Sequence, residues 1–503
     1  MSVCINFEIE RLINFALQNI LIEPCDINYI RNHYLNLFNE PTPQKYEIDE
    51  TLLYPDSILE NMYAYVISNK LSLGATEDII KCRIMDVLIP RPNIVRSTFN
   101  LIHKNHDINL ALQYFYNLSI ASNYIKATDI QKNQHWLTKT KYGNLEITIN
   151  LSKPEKDPKE IAKAKLQPKI DYPNCLLCPE NEGFAGDYNK PSRFTHRVIP
   201  LILNGETWYF QFSPYAYYTN HSIIFSSIHR DMKINADTFK ALFDFVDLVP
   251  QYIIGANADI PIVGGSILTH DHFQAGSHIF PMEKAKIHSQ IVWNETPNVH
   301  GYILDWPLST IKLVGTQEDL LKLGVDILSK WVQYSDERVD IVSHTTKRHN
   351  TLNPIIRKTE DDRYELYLIL RNNRKNETYP DGIFHPHREL HNIKKENIGL
   401  IEAMGLAILP GRLDHELEQI TMFLNYPDKV NDINESHPLW HHKGFIKELC
   451  KRYVPFKKEC DFLKKEVGQK FMQVLECSGV FKNNNNGRKA FTNFITHTNA
   501  KII

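Results

Sequence analysis

Three polar side chains alternate along one short segment, GGSILTHDHFQAG, which runs from Gly264 to Gly276. Successive side chains of an extended strand point to opposite faces, so His270, His272 and Gln274 would share one face. A neutral imidazole can attack phosphorus, and the resulting covalent phosphoramidate divides one difficult transfer into two easier steps. An amide at Gln274 could donate to a phosphate oxygen. The spacing therefore indicates group transfer, with His272 as the nucleophile.

Glycines border this segment and allow two interpretations. Gly264 and Gly265 let the backbone approach a bulky anion closely, and with Asn257 and Ser266 we predict that they contact the substrate. The alternative is a solvated sheet face, since alternating polar residues on a strand more often mean that, and paired glycines often mark only a turn.

A second group of residues is suited to a metal. The sequence NCLLC places Cys175 and Cys178 at a spacing that fits one tetrahedral zinc ion, although two structural cysteines explain a lone CxxC equally well. His229 and His270 could supply the missing ligands. A Cys2His2 set would close the coordination shell, so the predicted zinc is structural.

Composition narrows the class of protein. The 503 residues include 57 basic and 59 acidic side chains, a formal charge of -2, which argues against a general electrostatic grip on nucleic acid or anionic lipid. No run approaches roughly twenty uncharged apolar residues, so no membrane span is predicted. Eight cysteines in so long a chain do not form a disulfide scaffold, and a cytoplasmic location is expected.

The elements that must position these residues are predicted as follows. RVIPLIL and ETWYFQF flank Asn204-Gly205, a strong hairpin signal. A strand ending at His229 is followed by a helix capped by Asn235 or Asp237, and then by the strand with the two histidines. KKENIGLIEAMGLAILP is predicted as a helix and KNNNNGRK as a loop.

This order of antiparallel strands and helices predicts an α+β fold. A Lys- and Pro-rich connector near residues 150 to 170 marks a boundary. The predicted regions are a mainly helical N-terminal part (1–150), a catalytic half (151–295), a second similar half (296–430) and a helical C-terminal part (431–503). The first of these begins with an amphipathic helix rather than a secretion signal, because charged residues interrupt its apolar run.

The pattern HDHFQ, after Gly-Gly-Ser and downstream of CxxC, resembles the active strand of the galactose-1-phosphate uridylyltransferases, which belong to the histidine-triad superfamily. Longer segments resemble the second, bacterial type of that family across most of the chain. They are YGNLEITINLSKPEKDP, CLLCPENEGFAGD, LNGETWYFQFSPYAYY, NADIPIVGGSILTHDHFQAGSH and HNIKKENIGLIEAMGLAILPGRL.

The resemblance implies a reaction and a role for each site residue. Uridylyl transfer would convert UDP-glucose and galactose 1-phosphate into glucose 1-phosphate and UDP-galactose, by a ping-pong route in galactose metabolism. His272 would carry the uridylyl group, with Gln274 as its phosphate partner. Relatives also imply histidine-triad-like sheets, a homodimer, and zinc held by Cys175, Cys178, His229 and His270.

This chain departs from the shorter branch of the family at several positions. Asp271 stands where that branch has proline, Phe273 where it has glycine, and Ser266 lies one residue too far from His270 to match its serine. Two other classes of function are alternatives. A nucleotide phosphorylase or hydrolase would use the same strand, although Gln274 in place of a third histidine disfavours the hydrolase. A zinc-stabilised nucleic-acid module would need a basic face.

For the predicted uridylyl transfer, positive charge near the sugar phosphate could come from Lys394, Lys395 or Arg230.

Overall fold

The computed structural model describes residues 3–152, 171–265, 267–453 and 459–503. Most of the predicted connector and Ser266 therefore lie outside the described residues. The chain divides into two compact units, one with Met1–Lys132 and Pro154–Arg230 and the other with Asn133–Lys153 and Asp231–Ile503. The predicted division into four regions stays a prediction.

Helices dominate the N-terminal part of the first unit, as predicted. Thr76 and Asp107 are N-caps whose side chains accept the N–H of Ile79 and Leu110, which satisfies amide groups that a helix start leaves unpaired. The first helix buries an apolar stripe that includes Ile9 and removes it from water. The helices are Ile5–Gln18, Ile27–Phe38, Asp56–Ser68, Glu77–Asp86, Pro92–Asn105, Ile108–Ala121 and Ala127–Ile130.

The predicted hairpin of the first unit is confirmed. Strands Ile199–Leu203 and Glu206–Phe212 pair antiparallel, and Asn204 and Gly205 both have positive φ, 48° and 73°, as a two-residue turn of this kind requires. A third strand, Ser222–Ser226, pairs with the second. It ends three residues before His229, so the prediction that His229 terminates a strand is wrong. The Ser-Ser pair already bends the chain, with Ser226 Oγ accepting the N–H of Ile228.

The larger sheet of the second unit is antiparallel throughout its described strands. The strand that begins at His272 ends at Gly276, and we call it the histidine strand. His270 precedes it by two residues, which corrects the prediction that His270 lies on the same strand. In spatial order the strands are Ala500–Ile502, Ile287–Trp293, His300–Leu304, Thr310–Gly315, Tyr364–Asn372, Asn350–Lys358, Ile253–Ala256 and His272–Gly276.

A smaller sheet in the second unit corrects one predicted helix. Strands Gln134–Thr140 and Gly143–Asn150 pair antiparallel, and Leu406–Pro410 adds to the second of them in parallel. Only Leu400–Ala403 of the predicted helix is helical. Gly405 has a φ of +101°, which ends the helical path and turns the apolar run that follows into a buried strand.

Three described helices of the second unit begin at side-chain caps, Asn235, Thr316 and Asn484. Asn235 accepts the N–H groups of Asp237 and Thr238, which confirms one of the two predicted caps. Asn484 caps a helix that starts at Asn485, so the prediction of a loop over KNNNNGRK is wrong for its second half. The mixture of helices and antiparallel sheets confirms the α+β class. The helices are Ala236–Leu248, Gln317–Gln333, Leu400–Ala403, Arg412–Asn425, Lys443–Arg452, Glu459–Ser478 and Asn485–His497.

Candidate active site and metal-binding residues

His272 is held in one tautomer by the backbone. Its Nδ1 lies 2.8 Å from the carbonyl oxygen of His270. A carbonyl oxygen can only accept, so Nδ1 carries the proton and Nε2 keeps its lone pair. The side chain is buried, with 6% of its surface exposed. The chain therefore presents an oriented imidazole with an unprotonated Nε2.

Burial also keeps this imidazole neutral. Loss of contact with water lowers the pKa of His272 to about 4, although the hydrogen bond to the His270 backbone opposes that change. At neutral pH the ring is therefore uncharged, as a nucleophile must be. The sequence pattern requires a neutral imidazole at His272, and the buried surroundings of this side chain provide it.

Gln274 lies two residues along the histidine strand from His272, so both side chains leave the same face. The strand pairs with Ile253–Ala256, where Gly255 stands opposite Gln274. The oxygen Oε1 of Gln274 is buried and has no hydrogen-bond partner among the described residues. An unsatisfied buried acceptor is costly, and a ligand O–H or N–H that donated to it would remove that cost, whereas a phosphate oxygen can only accept from the amide N–H of the same side chain.

The two glycines before the histidines pack tightly against the chain that precedes them. A Cβ on Gly264 would lie 2.4 Å from the carbonyl oxygen of Ala258, and one on Gly265 would lie 2.7 Å from Nδ2 of Asn257. Asn257 itself is buried, and its Oδ1 accepts the N–H of Leu400 at 2.9 Å. These contacts explain why glycine is needed here. The predicted contact of these residues with substrate stays a prediction.

Buried polar groups that sequence reasoning missed support this region. Asn353 Nδ2 donates to the carbonyl oxygen of Ala256 at 3.0 Å, and Arg371 Nη1 donates to Asn353 Oδ1 at 3.0 Å. Burial lowers the pKa of Arg371 to about 10. An asparagine and an arginine inside the apolar strands Asn350–Lys358 and Tyr364–Asn372 were the signal in the sequence, since such residues are rarely buried without a partner.

Three of the predicted metal ligands lie together in the first unit. Cys175 Sγ is 3.5 Å from Cys178 Sγ, and Cys178 Sγ is 3.1 Å from His229 Nδ1. Asn181 donates its side-chain N–H to the carbonyl oxygens of both cysteines, at 2.7 and 2.8 Å, and so fixes the turn between them. The ligand atoms of the three residues lie within 4.8 Å of one another.

This donor set fits zinc. Tetrahedral zinc would separate two thiolates by about 3.8 Å and a thiolate from an imidazole by about 3.5 Å, close to the observed spacings. Burial raises the pKa of Cys178 to about 11, so its thiol needs a cation to become a thiolate ligand. His270, the fourth predicted ligand, belongs to the second unit and is completely buried.

Two of the three cations suggested for phosphate binding are already paired. Lys394 is buried and its Nζ lies 2.5 Å from Glu402 Oε1. Arg230 Nη2 lies 2.6 Å from Glu206 Oε2. Lys395 is exposed. Because their charges are already paired with carboxylates, Lys394 and Arg230 are less suited to phosphate binding than their charge alone indicated.

A further group of potential metal ligands was missed by sequence reasoning. His442 Nε2 is 3.0 Å from Glu416 Oε2, and His441 Nε2 is 3.4 Å from Glu416 Oε1. Arg412 Nη1 also lies 2.5 Å from Glu416 Oε2. Because a guanidinium already neutralises this carboxylate, an ion-pair network explains the group without a metal.

The fold and site together define a class: an α+β protein with a buried, neutral histidine whose Nε2 carries no proton. Comparison with known proteins identifies the family. Residues 21–231 match the family described as galactose-1-phosphate uridyl transferase, N-terminal domain, and residues 245–442 match its C-terminal domain. The chain belongs to the galactose-1-phosphate uridyl transferase family.

Three curated relatives, each named galactose-1-phosphate uridylyltransferase, are similar over nearly their whole length. The relative from Caldanaerobacter subterraneus subsp. tengcongensis is 48% identical over 507 residues, covering 97% of each chain. Those from Fusobacterium nucleatum subsp. nucleatum and Lactococcus lactis subsp. lactis are both 45% identical, covering 98% of this chain and 99% of the relative. Among solved structures, a yeast Ap4A phosphorylase matches with a TM-score of 0.33 and 10% identity, covering 74% of this chain and 98% of that one.

Proposed function

We propose that the protein catalyses reversible uridylyl transfer, in which UDP-glucose and galactose 1-phosphate give glucose 1-phosphate and UDP-galactose. Family membership supports the substrates. The observation that carries the mechanism is the tautomer of His272, whose Nδ1–H is held by the His270 carbonyl so that Nε2 is free to attack.

In the first half-reaction, Nε2 of His272 attacks the α-phosphorus of UDP-glucose. The new N–P bond forms as the bond from that phosphorus to the bridging oxygen breaks, and glucose 1-phosphate leaves. The ring gains positive charge because Nδ1 keeps its proton. The carbonyl oxygen of His270 faces that proton and stabilises the charge as it develops. Gln274 donates its amide N–H to a non-bridging phosphate oxygen.

In the second half-reaction, a phosphate oxygen of galactose 1-phosphate attacks the same phosphorus and displaces the imidazole. The two sugar phosphates are nearly isosteric, so one pocket serves both. A covalent intermediate means that leaving group and acceptor need not be bound together. The contacts proposed for Asn257, Gly264, Gly265 and Ser266 are to the phosphates of the nucleotide.

Zinc has a structural role in this proposal. Cys175, Cys178 and His229 would hold it with His270 as the fourth ligand, and four protein ligands leave no position for substrate. Bound zinc would fix the position of His270, whose backbone carbonyl orients His272.

No helix among the described residues is both long and apolar enough to cross a membrane. The cytoplasmic location, the homodimer and the absence of nucleic-acid binding remain predictions.

Intact mass after mixing with UDP-glucose alone tests the proposal. The wild-type protein gains the mass of one uridylyl group, and galactose 1-phosphate removes it. His272→Gly gains nothing, because it lacks the nucleophile. His288→Gly is the matched control, since it removes an exposed histidine from another strand and leaves labelling intact.

The same experiment separates the alternatives. Release of the label by inorganic phosphate but not by galactose 1-phosphate would identify a phosphorylase, and release by water alone a hydrolase. Labelling that persists in His272→Gly would contradict the nucleophile assignment. No labelling of the wild-type protein would contradict the covalent mechanism.

A further inference from the structure

A large cleft in the first unit lies outside every residue assigned to catalysis or metal binding. Its volume is about 870 Å³, within the range of small-molecule pockets. It is bordered by three helices, Ile5–Gln18, Ile108–Ala121 and Ala127–Ile130, and by the loop from Ala216 to Asn220. The helical N-terminal part of the chain, which the proposed reaction does not use, supplies most of its wall.

The lining of this cleft combines apolar surface with polar side chains, and its described residues carry no charge. None of the described residues that line it carries a formal charge at neutral pH. Burial raises the pKa of Tyr114 and Tyr116, so both phenols stay protonated. Four lining residues are tyrosines, Tyr54, Tyr114, Tyr116 and Tyr218, and five carry side-chain amides, Gln18, Asn19, Asn117, Gln131 and Asn220.

Hydrogen bonds hold part of this polar surface in place. Gln131 Nε2 donates to the hydroxyl oxygen of Tyr54 at 3.1 Å, and Gln113 Nε2 donates to Asn117 Oδ1 at 2.7 Å. Tyr116 packs edge-on against the ring of Phe212, with 5.1 Å between ring centroids. The aromatic and amide groups are therefore partly ordered before any ligand arrives, which lowers the entropic cost of binding.

Backbone strain and exposed apolar groups are concentrated around the same cleft. Ile20, Ala216 and Asn220 have positive φ values of 56°, 37° and 55°. A β-branched residue such as isoleucine rarely adopts this conformation, and such strain tends to occur at functional sites. Ile20 is 84% exposed and Leu53 is 74% exposed, although both line the cleft. These two side chains add exposed apolar surface at the border of the cleft.

We propose that this cleft binds an uncharged sugar, a free hexose or a disaccharide, at a site separate from the catalytic residues. Tyrosine rings offer flat apolar surfaces to the C–H face of a sugar ring. Side-chain amides both donate and accept, which matches hydroxyl groups. The absence of charge among the described lining residues disfavours a phosphorylated ligand, whose burial without a cation is costly. A nucleobase is also disfavoured, because it has fewer hydrogen-bonding atoms than the five side-chain amides of the lining could pair with.

Binding of galactose, glucose and lactose to the full-length protein by saturation-transfer NMR tests this site. We expect at least one of these sugars to bind at millimolar concentration, with or without saturating UDP-glucose. Asn117→Trp places an indole in the cleft and should weaken binding about tenfold or more. Leu110→Trp, at an exposed position two turns earlier on the same helix and outside the lining, is the matched control and should keep the wild-type Kd.

Three outcomes would overturn the proposal: no binding of any of the three sugars, displacement of the sugar by UDP-glucose, or equal weakening in both tryptophan variants. Circular dichroism checks that each variant is folded. If Asn117→Trp does not fold, Thr219→Trp at the exposed rim of the cleft replaces it. Because the measured quantity is binding of an unphosphorylated sugar, the result does not depend on uridylyl transfer.

Discussion

At the scale of single residues, the state of His272 depends on a backbone carbonyl as well as on the side chains that bury it. The His270 carbonyl fixes the tautomer of His272, and burial keeps the ring neutral. Cys178 shows the opposite need, because burial raises its pKa and opposes the thiolate form that a metal requires. Burial thus keeps the imidazole of His272 in its neutral form, whereas the thiol of Cys178 needs a cation to ionise.

Removal of one thiol tests the proposed zinc site at this scale. Cys175→Ser leaves an incomplete ligand set, so we expect the protein to lose its metal and to unfold at lower temperature. Elemental analysis of the purified protein should give close to one zinc per chain in the wild type and far less in the variant.

Cys25→Ser provides the control, because it removes an exposed cysteine from the same unit. It should keep both the metal and the melting temperature. Two results together would contradict the structural role: the purified wild-type protein contains no zinc, and added zinc does not change its melting temperature.

At the scale of elements, caps and turns set where the site residues stand. Asn235 starts Ala236–Leu248, a helix whose buried residues include Phe239, Leu242 and Val246, at helical spacing. Gly405 has the opposite effect, since its positive φ ends a short helix. A Cβ there would also meet Pro281 Cβ at 2.8 Å and Trp306 at 2.9 Å. These local choices determine where one helix begins and where another gives way to a strand.

Loss of the Asn235 cap should have a measurable cost. Asn235→Ala leaves the N–H groups of Asp237 and Thr238 without their acceptor, and we expect the free energy of unfolding to fall by about 1 kcal/mol. Asn235→Asp keeps an acceptor and should retain most of the stability. Urea denaturation measures both, and an equal loss in the two variants would show that the cap is not the cause.

At the scale of the whole molecule, each unit buries a histidine that resists protonation. Burial lowers the pKa of His196 to about 3 in the first unit and that of His442 to about 4 in the second. An unfolded chain takes up protons on these rings below the ordinary pKa of 6.5, whereas the folded chain does not. Their contribution to stability is therefore complete above that pH and is lost progressively as pH falls toward 3 to 4.

Acid should thus destabilise the wild-type protein partly through His196. We expect the urea midpoint to fall between about pH 7.5 and about pH 5, and to fall less in His196→Gln, which cannot gain the proton. His103→Gln, at an exposed position, is the control. If His196→Gln keeps the full pH dependence of the wild type, the burial of His196 does not contribute to it.

The sequence by itself determined the features that depend on neighbouring residues. The Asn204-Gly205 hairpin and the Asn235 cap follow from local backbone preferences, and the histidine pattern with the longer segments was enough to indicate the family. Local rules failed at Leu406–Pro410, because the partner of that strand, Gly143–Asn150, is more than 250 residues away in the chain.

Only the tertiary structure decided what surrounds the reactive groups. The pKa of His272, the support of Asn353 by Arg371 and the uncharged cleft all arise from groups distant in sequence that exclude water together. Desolvation and long-range packing depend on the complete arrangement of the chain, whereas turns, caps and strand alternation depend on a few adjacent residues. The histidine pattern could therefore be found in the sequence, but the neutral, oriented state of His272 could not.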